Sequence, residues 1–177
     1  VISLLMLEQN LNLPTIIKIF PLVTKRTYKT DNMYECYARI NLSNTYYPED
    51  IVDLRVLDNP DPDVILSLYK TYCDHKKFIS VMPMFAERFV EPSKDVLGYY
   101  DNNELVAFSL MHRFNDNHVE AIQFAWNYHK PDMRLGIESL KAECAHYKAR
   151  GFSYIYIGEA QEYKKEIDGF ELLGPLE

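Results

Sequence analysis

Short hydrophobic runs separated by polar turns follow one another in the middle of the chain. They cover 95–100, 104–113 and 118–128, and runs of this length bounded by turn residues are typical of β-strands. The connections 101–103 and 115–117 are rich in Asn and Asp, which tolerate the left-handed backbone of tight hairpin turns. The pattern therefore predicts an antiparallel meander of three strands.

Helical periodicity and further strands flank this meander. Period-two alternation predicts a strand at 51–57, and an Asp-Pro pair then opens an amphipathic helix that extends to about residue 77. A second helix is predicted over 133–150, with Gly151 at its left-handed end. A buried strand at 152–157 follows. Because a strand–helix–strand crossover is right-handed by default, the strands on either side of this helix should be parallel neighbours.

The hydrophobic pattern is less regular towards the N-terminus. Residues 1–48 are interpreted as an N-terminal extension packed on the sheet of a main domain that spans 49–177. Within the extension, two prolines in the Ile-rich stretch 13–23 suit an edge strand, and 33–42 alternates as a second strand. A short helix is predicted over 83–89.

Composition and charge exclude several classes of function. A net charge of -7 and a pI of about 5.3 argue against a basic, phosphate-neutralising surface, so no DNA partner is predicted. The three cysteines are widely spaced, which favours a reducing, cytoplasmic compartment. The apolar N-terminal run is far shorter than the roughly 18 residues of a membrane span, so no membrane association is expected. The 14 tyrosines suggest a cleft or partner surface that is both apolar and hydrogen-bonding.

The most informative motif is the segment 130–140, Lys-Pro-Asp-Met-Arg-Leu-Gly-Ile-Glu-Ser-Leu, followed by the long helix and the strand end Tyr-Ile-Tyr-Ile-Gly at 154–158. With the order of elements over 50–170, it resembles the GCN5-related N-acyltransferase (GNAT) superfamily. The block is also similar to the C-terminal domain of aminoacyl-tRNA protein transferases. The resemblance implies an α/β (α+β) fold in which a mixed sheet combines an antiparallel meander with a parallel strand pair splayed around a cleft, between flanking helices.

The resemblance further implies acetyl-CoA as the cofactor. In the superfamily, backbone N–H groups in the loop before the helix bind the pyrophosphate, aided by the positive helix end. Here Gly136 would let a phosphate approach the backbone and Arg134 could supply a cation, whereas Glu138 would repel the phosphate. The implied cofactor-binding residues are Phe124, Trp126, Arg134, Leu135, Gly136, Ile137, Glu138 and Ser139.

Acyl transfer to an amine acceptor, either a small molecule or a protein, needs a base, donors for the carbonyl oxygen and an acid for the leaving group. The resemblance places Glu120, Gln123 and Tyr128 on or beside the strand that lines the cleft, and Tyr163 where relatives often have the acid. Glu120, or a water that it orients, is expected to take the proton of the amine. A structural explanation competes for each residue: Glu120 as an exposed strand end, Tyr163 as packing.

No metal site is predicted, because the two Cys-x-His pairs, at 73–75 and 144–146, lie within helices at a spacing that points their side chains to different faces. Cys144 is instead interpreted as core filler.

Three functions remain open. The first is an N-acyltransferase that uses acetyl-CoA. The second is an aminoacyl-tRNA-dependent transferase, in which tRNA would be the partner and Lys164 and Lys165 would help to bind it. The third is a non-catalytic binding module, which Glu138 and the short chain after Gly169 support. Too few residues remain there for two closing strands, so the sheet is either shortened or completed by the N-terminal extension or by a partner chain, as in a homodimer.

Overall fold

In the computed structural model, the described residues are 36–78 and 86–175. These residues form seven strands in one sheet and two α-helices, joined by short 3-10 turns. The strands are β1 (Cys36–Asn41), β2 (Asp53–Val56), β3 (Lys94–Asp101), β4 (Glu104–Arg113), β5 (His118–Trp126), β6 (Tyr154–Glu159) and β7 (Phe170–Pro175), and the helices are α1 (Pro62–Lys76) and α2 (Leu135–Ala149).

The strand order across the sheet is β2-β3-β4-β5-β6-β1-β7. Strands β3, β4 and β5 form the antiparallel meander that the sequence predicts. Strands β5 and β6 lie side by side and parallel, joined by the crossover through α2. The remaining neighbours are antiparallel. The predicted α/β fold class with a mixed sheet is therefore confirmed.

Local sequence signals account for the ends of these elements. The side chain of Asp61 caps α1 by accepting a hydrogen bond from the backbone N–H of Asp63. The β3–β4 hairpin turns through Asn102 and Asn103, both with positive φ, as its Asn-rich connection predicts. Gly151 follows α2 with φ 85°, the left-handed conformation expected there.

The sheet is closed by strands from both ends of the described chain. Strand β7 forms directly after Gly169, and β1 lies between β6 and β7, antiparallel to both. Gly169 has φ 77°, and a Cβ there would overlap the carbonyl oxygen of Asn41. The backbone N–H of Asn41 donates to the carbonyl oxygen of Gly169 at 2.8 Å. Glycine is therefore required where the chain enters its last strand.

Some predicted elements differ or fall outside the described residues. The segment 162–167, whose mixed charge at helical spacing predicts a solvated helix face, forms only a 3-10 turn over Glu162–Glu166. The helix predicted at 83–89 is a 3-10 turn at Ala86–Phe89, and its first three residues lie outside the described part of the chain. The edge strand predicted at 13–23 lies outside it too.

The two helices pack on opposite faces of the sheet. Helix α2 packs on the face that carries the larger core cluster, which includes Met111, Val119, Leu140, Cys144 and Ile155. Helix α1 packs on the opposite face, over β4 and β5, with the smaller cluster of Ile65, Leu68, Phe108, Leu110 and Ala125. Cys144 is fully buried, which confirms its interpretation as core filler.

A buried carboxylate fixes the C-terminal half of α2 to the sheet. Asp95 on β3 accepts a hydrogen bond from the Tyr147 hydroxyl at 2.9 Å and from Arg150 Nη1 at 3.2 Å. Arg113 Nε on β4 lies 3.0 Å from the other oxygen of Asp95 but out of line for a hydrogen bond, so that contact is an ion pair. Because Asp95 is almost fully buried, these partners offset the cost of burying its charge.

Candidate functional site

Strands β5 and β6 form a fork. Their parallel pairing extends from His118 and Tyr154 to Glu120 and Tyr156 and ends there, although both strands continue. At the same point β5 contains a bulge, because Ala121 faces Met111 and Gln123 faces Leu110, which leaves Ile122 as an extra residue. Bulges bend a strand and redirect its side chains, often beside active sites.

A cavity of about 360 Å³ occupies this fork. Its wall consists of the bulged part of β5, the end of β6, one side of α2 and the turn after β6, with Tyr72 of α1 and Ser109 of β4. The lining includes Gln123, Phe124, Gly136, Ser139, Glu143, Ile157, Gly158, Gln161, Tyr163 and Lys164.

A buried polar cluster lies at the floor of this fork cavity. Glu143 of α2 is only 3% exposed, and one of its carboxylate oxygens accepts hydrogen bonds from the hydroxyl groups of Tyr99 at 2.7 Å and Ser109 at 2.5 Å. Burial raises the pKa of Glu143 above its ordinary value of 4.5, and the two hydrogen bonds oppose that rise. The cavity therefore ends on a carboxyl group that ionises less readily than an exposed one.

We expect a Glu143→Gln variant to be less sensitive to pH than the wild-type protein. Because the pKa of Glu143 is raised on folding, the folded state holds this proton more tightly, and the free energy of unfolding falls as the pH rises from the ordinary pKa towards the raised one. Gln does not titrate, yet its carbonyl oxygen can accept the same two hydrogen bonds. Urea denaturation across this pH range should show the variant gaining stability over the wild type with rising pH; parallel curves would contradict this.

Two side chains from the turn after β6 flank the cavity. Tyr163 is 45% exposed, and burial of the rest of its ring raises its pKa, so the phenol keeps its proton at neutral pH. Lys164 Nζ donates to the carbonyl oxygens of Ile157 at 2.6 Å and Glu159 at 3.0 Å. These bonds tie the turn to the end of β6 and place a cation beside the fork.

The N-terminal end of α2 forms one edge of the cavity. Gly136 lines it, and a Cβ built there would have no heavy atom within 4 Å. Arg134, in left-handed conformation, precedes the helix, and its guanidinium lies 3.7 Å from the Glu166 carboxylate on the surface. Glu138 pairs with Lys141 at 3.0 Å. The repulsion expected between Glu138 and a phosphate is thus reduced by a neighbouring cation.

The structure brings some of the predicted site residues together and separates others. Gln123, Phe124, Gly136, Ser139 and Tyr163 all line the fork cavity. Arg134 and Glu138 lie at the helix end beside it. The remaining predicted residues lie elsewhere: Trp126, Leu135 and Ile137 are buried in the core cluster under α2, Glu120 lines a different cavity, and Tyr128 belongs to an aromatic stack.

This aromatic stack surrounds a strained residue. Tyr128 has φ 57°, which is unusual for a bulky side chain. Its ring stacks on His75 of α1 at 3.7 Å between centroids and leans on Trp126 at 4.1 Å. The stack links the end of β5 to the C-terminal turn of α1, and this packing holds the strained backbone in place.

Sequence reasoning missed the buried cluster of Glu143, Ser109 and Tyr99. One signal could have revealed it, because Gly136, Ser139 and Glu143 follow a helical spacing of three and four residues and so share one side of α2. That side borders the apolar stripe of α2 rather than the face of the helix that is exposed to solvent. A carboxylate beside an apolar stripe indicates a buried polar contact, although its partners on β3 and β4 cannot be identified from spacing.

Comparison with known proteins establishes the fold class. No protein-family model matches the sequence, and no curated protein matches it significantly. Solved structures do share its fold. The C-terminal domain of a protein described as a lysylphosphatidylglycerol synthetase from Agrobacterium fabrum gives a TM-score of 0.56 at 11% identity, over 71% of this chain and 47% of that chain.

Two acetyltransferase structures are similar as well. The glucosamine N-acetyltransferase region of a fungal β-N-acetylglucosaminidase has a TM-score of 0.55 at 13% identity, over 81% of this chain and 20% of that chain. A GCN5-related N-acetyltransferase from Kribbella flavida has a TM-score of 0.50 at 14% identity, over 82% of this chain and 60% of that chain. The chain thus has a GNAT-like fold and spans less than two thirds of each of these proteins.

The described residues contain neither a metal-binding cluster nor a membrane-spanning helix. No group of three or more His, Cys, Asp or Glu side chains there is arranged to hold a metal ion. Neither helix in the same part of the chain is long and apolar enough to cross a membrane.

Proposed function

We propose that the protein is an acyltransferase that moves an acyl group from an activated donor in the fork cavity to an amine. The observation that carries this proposal is the fork itself: a cavity bounded by strand edges without β5–β6 pairing, with a helix N-terminus at one edge and polar groups at its floor. The shared fold of two N-acetyltransferase structures is consistent with this class of reaction.

Acetyl-CoA is the first candidate for the donor. Backbone groups along 121–124 and at Gly158 line the cavity, and beyond the last β5–β6 pair they can form hydrogen bonds with an extended, amide-bearing molecule as an added strand would. The first-turn N–H groups of α2, including that of Gly136, favour an anion at the helix end. Arg134 can turn from Glu166 towards a phosphate at little cost, since an exposed ion pair contributes little.

The side chains around the fork can supply the groups that the reaction needs. The amine nitrogen attacks the acyl carbon, the carbon–sulfur bond breaks, and the thiolate takes a proton from Tyr163, whose pKa is raised. Gln123 Nε2 already donates to the carbonyl oxygen of Phe124 at 2.8 Å, and its second N–H can donate to the acyl oxygen. Glu120, or a water that it orients, takes the proton from the amine.

An aminoacyl donor, such as an aminoacyl-tRNA, is the second candidate. The buried Glu143 carboxyl at the floor of the cavity favours it, because an acetyl methyl group needs no polar partner there whereas the amino group of an aminoacyl moiety does. With this donor the leaving group is a ribose hydroxyl instead of a thiol, and Tyr163 donates its proton to the departing ribose oxygen.

Thermal denaturation with each donor separates the two candidates. A ligand that binds only the folded state at about 100 times its Kd stabilises it by about 2.7 kcal/mol, which raises the Tm of a domain of this size by roughly 5–10 °C. Acetyl-CoA should give this shift if the first candidate is right, and a non-hydrolysable 3′-aminoacyl adenosine if the second is. Mass spectrometry of amines incubated with the protein and the same donor then detects the transfer. No shift and no product with either donor would contradict the proposed function and favour a non-catalytic module.

A further inference from the structure

Half of one sheet face carries aromatic and charged side chains that neither helix covers. On the face that α1 shares, the helix packs on β4 and β5 among the described residues. Because side chains alternate along a strand, the neighbouring pairs His118–Tyr154 and Glu120–Tyr156 project from this same face, opposite the buried Val119 and Ile155.

A second cavity, of about 380 Å³, lies on this half of the sheet. Its walls are mainly apolar and aromatic, and the lining residues come from five strands, β1, β4, β5, β6 and β7, and from the start of the β4–β5 turn. The lining consists of Tyr37, Ala38, His112, Phe114, Glu120, Tyr156, Gly158 and Leu173.

Several aromatic rings lie close together around the cavity, and two of them are partly exposed. The ring centroid of Phe114 lies 5.5 Å from that of Tyr156 and 6.1 Å from that of His112. Phe114 is 45% exposed and Tyr37 is 37% exposed. Exposed aromatic faces attract cations and apolar surfaces alike.

Glu120 is the acidic group of this cavity. Its carboxylate is 53% exposed and lies 3.7 Å from His112 Nδ1. No Lys or Arg side chain of the described residues lies within ion-pair distance of it. Lys94, in the same row across the strands, interacts with Glu120 at longer range but lies 3.9 Å from Glu91, and Arg39 is bound by Glu171 at 2.8 Å. A carboxylate surrounded by aromatic rings complements an ammonium group that is attached to an apolar body.

The two cavities meet at Gly158. This residue lines both of them, and a Cβ built on it would have no heavy atom within 4 Å. Gly158 lies at the end of β6, beyond the last β5–β6 pair, where the sheet is open between its faces. A molecule in one cavity can therefore reach a molecule in the other through the fork.

We propose that this second cavity binds the amine acceptor, and that it selects a primary amine whose ammonium group contacts Glu120 while an aromatic or alkyl body packs on Phe114 and Tyr156. The role of the bound amine as acceptor rests on the proposed function, whereas its binding depends only on the second cavity. The net charge of -7 adds a general attraction for cations.

Acyl transfer where the two cavities meet balances in protons and in bonds formed and broken. The ammonium group loses one proton to the Glu120 carboxylate, and the free amine attacks the acyl carbon of the donor across the fork. The carbon–sulfur or carbon–oxygen bond of the donor breaks, the leaving group takes the proton of Tyr163, and the nitrogen loses its second proton to restore Tyr163. The amide and the protonated leaving group form, and one proton passes from Glu120 to water.

Calorimetric titration of the full chain with β-phenylethylamine, without any donor, tests the cavity directly. We expect Glu120→Gln to weaken binding about tenfold, the order of a lost charge-assisted contact at a partly exposed site. Phe114→Leu should weaken it several-fold, because it removes a ring face and keeps an apolar side chain.

Glu104→Gln is the matched control: it makes the same charge change on an exposed carboxylate at the far end of β4 and should leave binding unchanged. The neutral 2-phenylethanol should bind at least tenfold more weakly than the amine.

Each result of this titration supports or overturns the ammonium site, the proposed function or both. Equal affinity in the wild-type protein and the Glu120→Gln variant would overturn the proposal, as would equal binding of 2-phenylethanol and the amine. A donor that binds while the amine does not would overturn it and leave the proposed function intact. Amine binding with the expected variant pattern, but no binding of either donor, would support the ammonium site and overturn the proposed function. With a donor that turns over, Glu120→Gln should raise KM for the amine and lower kcat, whereas Glu104→Gln changes neither.

Discussion

A Gly136→Phe variant should lose donor binding and about 100-fold or more of any acyl-transfer rate, the loss that a displacement of about 1 Å in a bound reactant brings. Gly136 lines the fork cavity at the N-terminal end of α2, and the space beyond its Cα is open. A phenyl ring there enters the cavity instead of the core, so the fold should be preserved. Donor binding by calorimetry and urea denaturation of the same sample measure the two properties separately.

The control for this variant is Gly136→Ala. A methyl group has room at this position, and replacing a helical Gly by Ala raises the free energy of unfolding by up to about 1 kcal/mol. Donor affinity should change little. If Gly136→Phe binds the donor as well as Gly136→Ala does, the donor does not occupy the fork.

An Asp95→Ala variant should lose about 3–5 kcal/mol of stability, the usual cost of removing one partner from a buried ion pair. Asp95 is the common partner of Tyr147 on α2, of Arg150 directly after that helix and of Arg113 on β4. Without it, the phenol hydroxyl of Tyr147 loses its acceptor beneath the helix, and Nε of Arg113 loses its ion-pair partner. Chemical denaturation followed by circular dichroism measures the loss.

Two other variants show whether burial is the cause of this loss. Asp95→Asn keeps an acceptor for Tyr147 and should lose less than Asp95→Ala. Asp53→Ala removes the carboxylate of a solvent-exposed pair with Arg55, at 2.6 Å, and should leave stability almost unchanged. A similar loss for Asp53→Ala and Asp95→Ala would mean that burial of the carboxylate is not decisive.

The parts of the fold that could be predicted from sequence depend on local patterns. Asn102 and Asn103 mark a hairpin turn, Asp61 marks a helix start and Gly151 a helix end, because each residue type suits a particular backbone conformation. The parallel contact of β5 and β6 followed from the handedness of the crossover. These signals act over a few residues or through a general topological rule, so spacing alone reveals them.

The insertion of β1 between β6 and β7 could not be predicted in this way. Its partners lie more than a hundred residues away in sequence, as the contact of Arg39 with Glu171 illustrates. Alternation along 33–42 predicted a strand, but it carries no information about which strands would lie beside it. Only the need for further closing strands after Gly169 pointed to a contribution from another part of the chain.

The candidate site was predicted incompletely for a related reason. The Leu-Gly-Ile motif identified the helix end at Gly136, but the bulge at Ile122 changes which side chains of β5 point into the fork. Strict alternation would place Glu120 and Gln123 on opposite faces, whereas their partners His112 and Leu110 share one face of β4. The two residues nevertheless line different cavities. A sequence pattern that assumes regular alternation cannot locate this change.

The most direct test of the central claim is an amide NMR titration of the wild-type protein with each donor, acetyl-CoA and the 3′-aminoacyl adenosine analogue. If the fork between β5 and β6 holds the donor, the backbone amide signals of Gly136, Gly158 and Gln123 should shift with a common binding curve, while that of Gly174, at the far edge of the sheet, stays in place. A donor that binds without moving the signals of Gly136 and Gly158 would contradict the account.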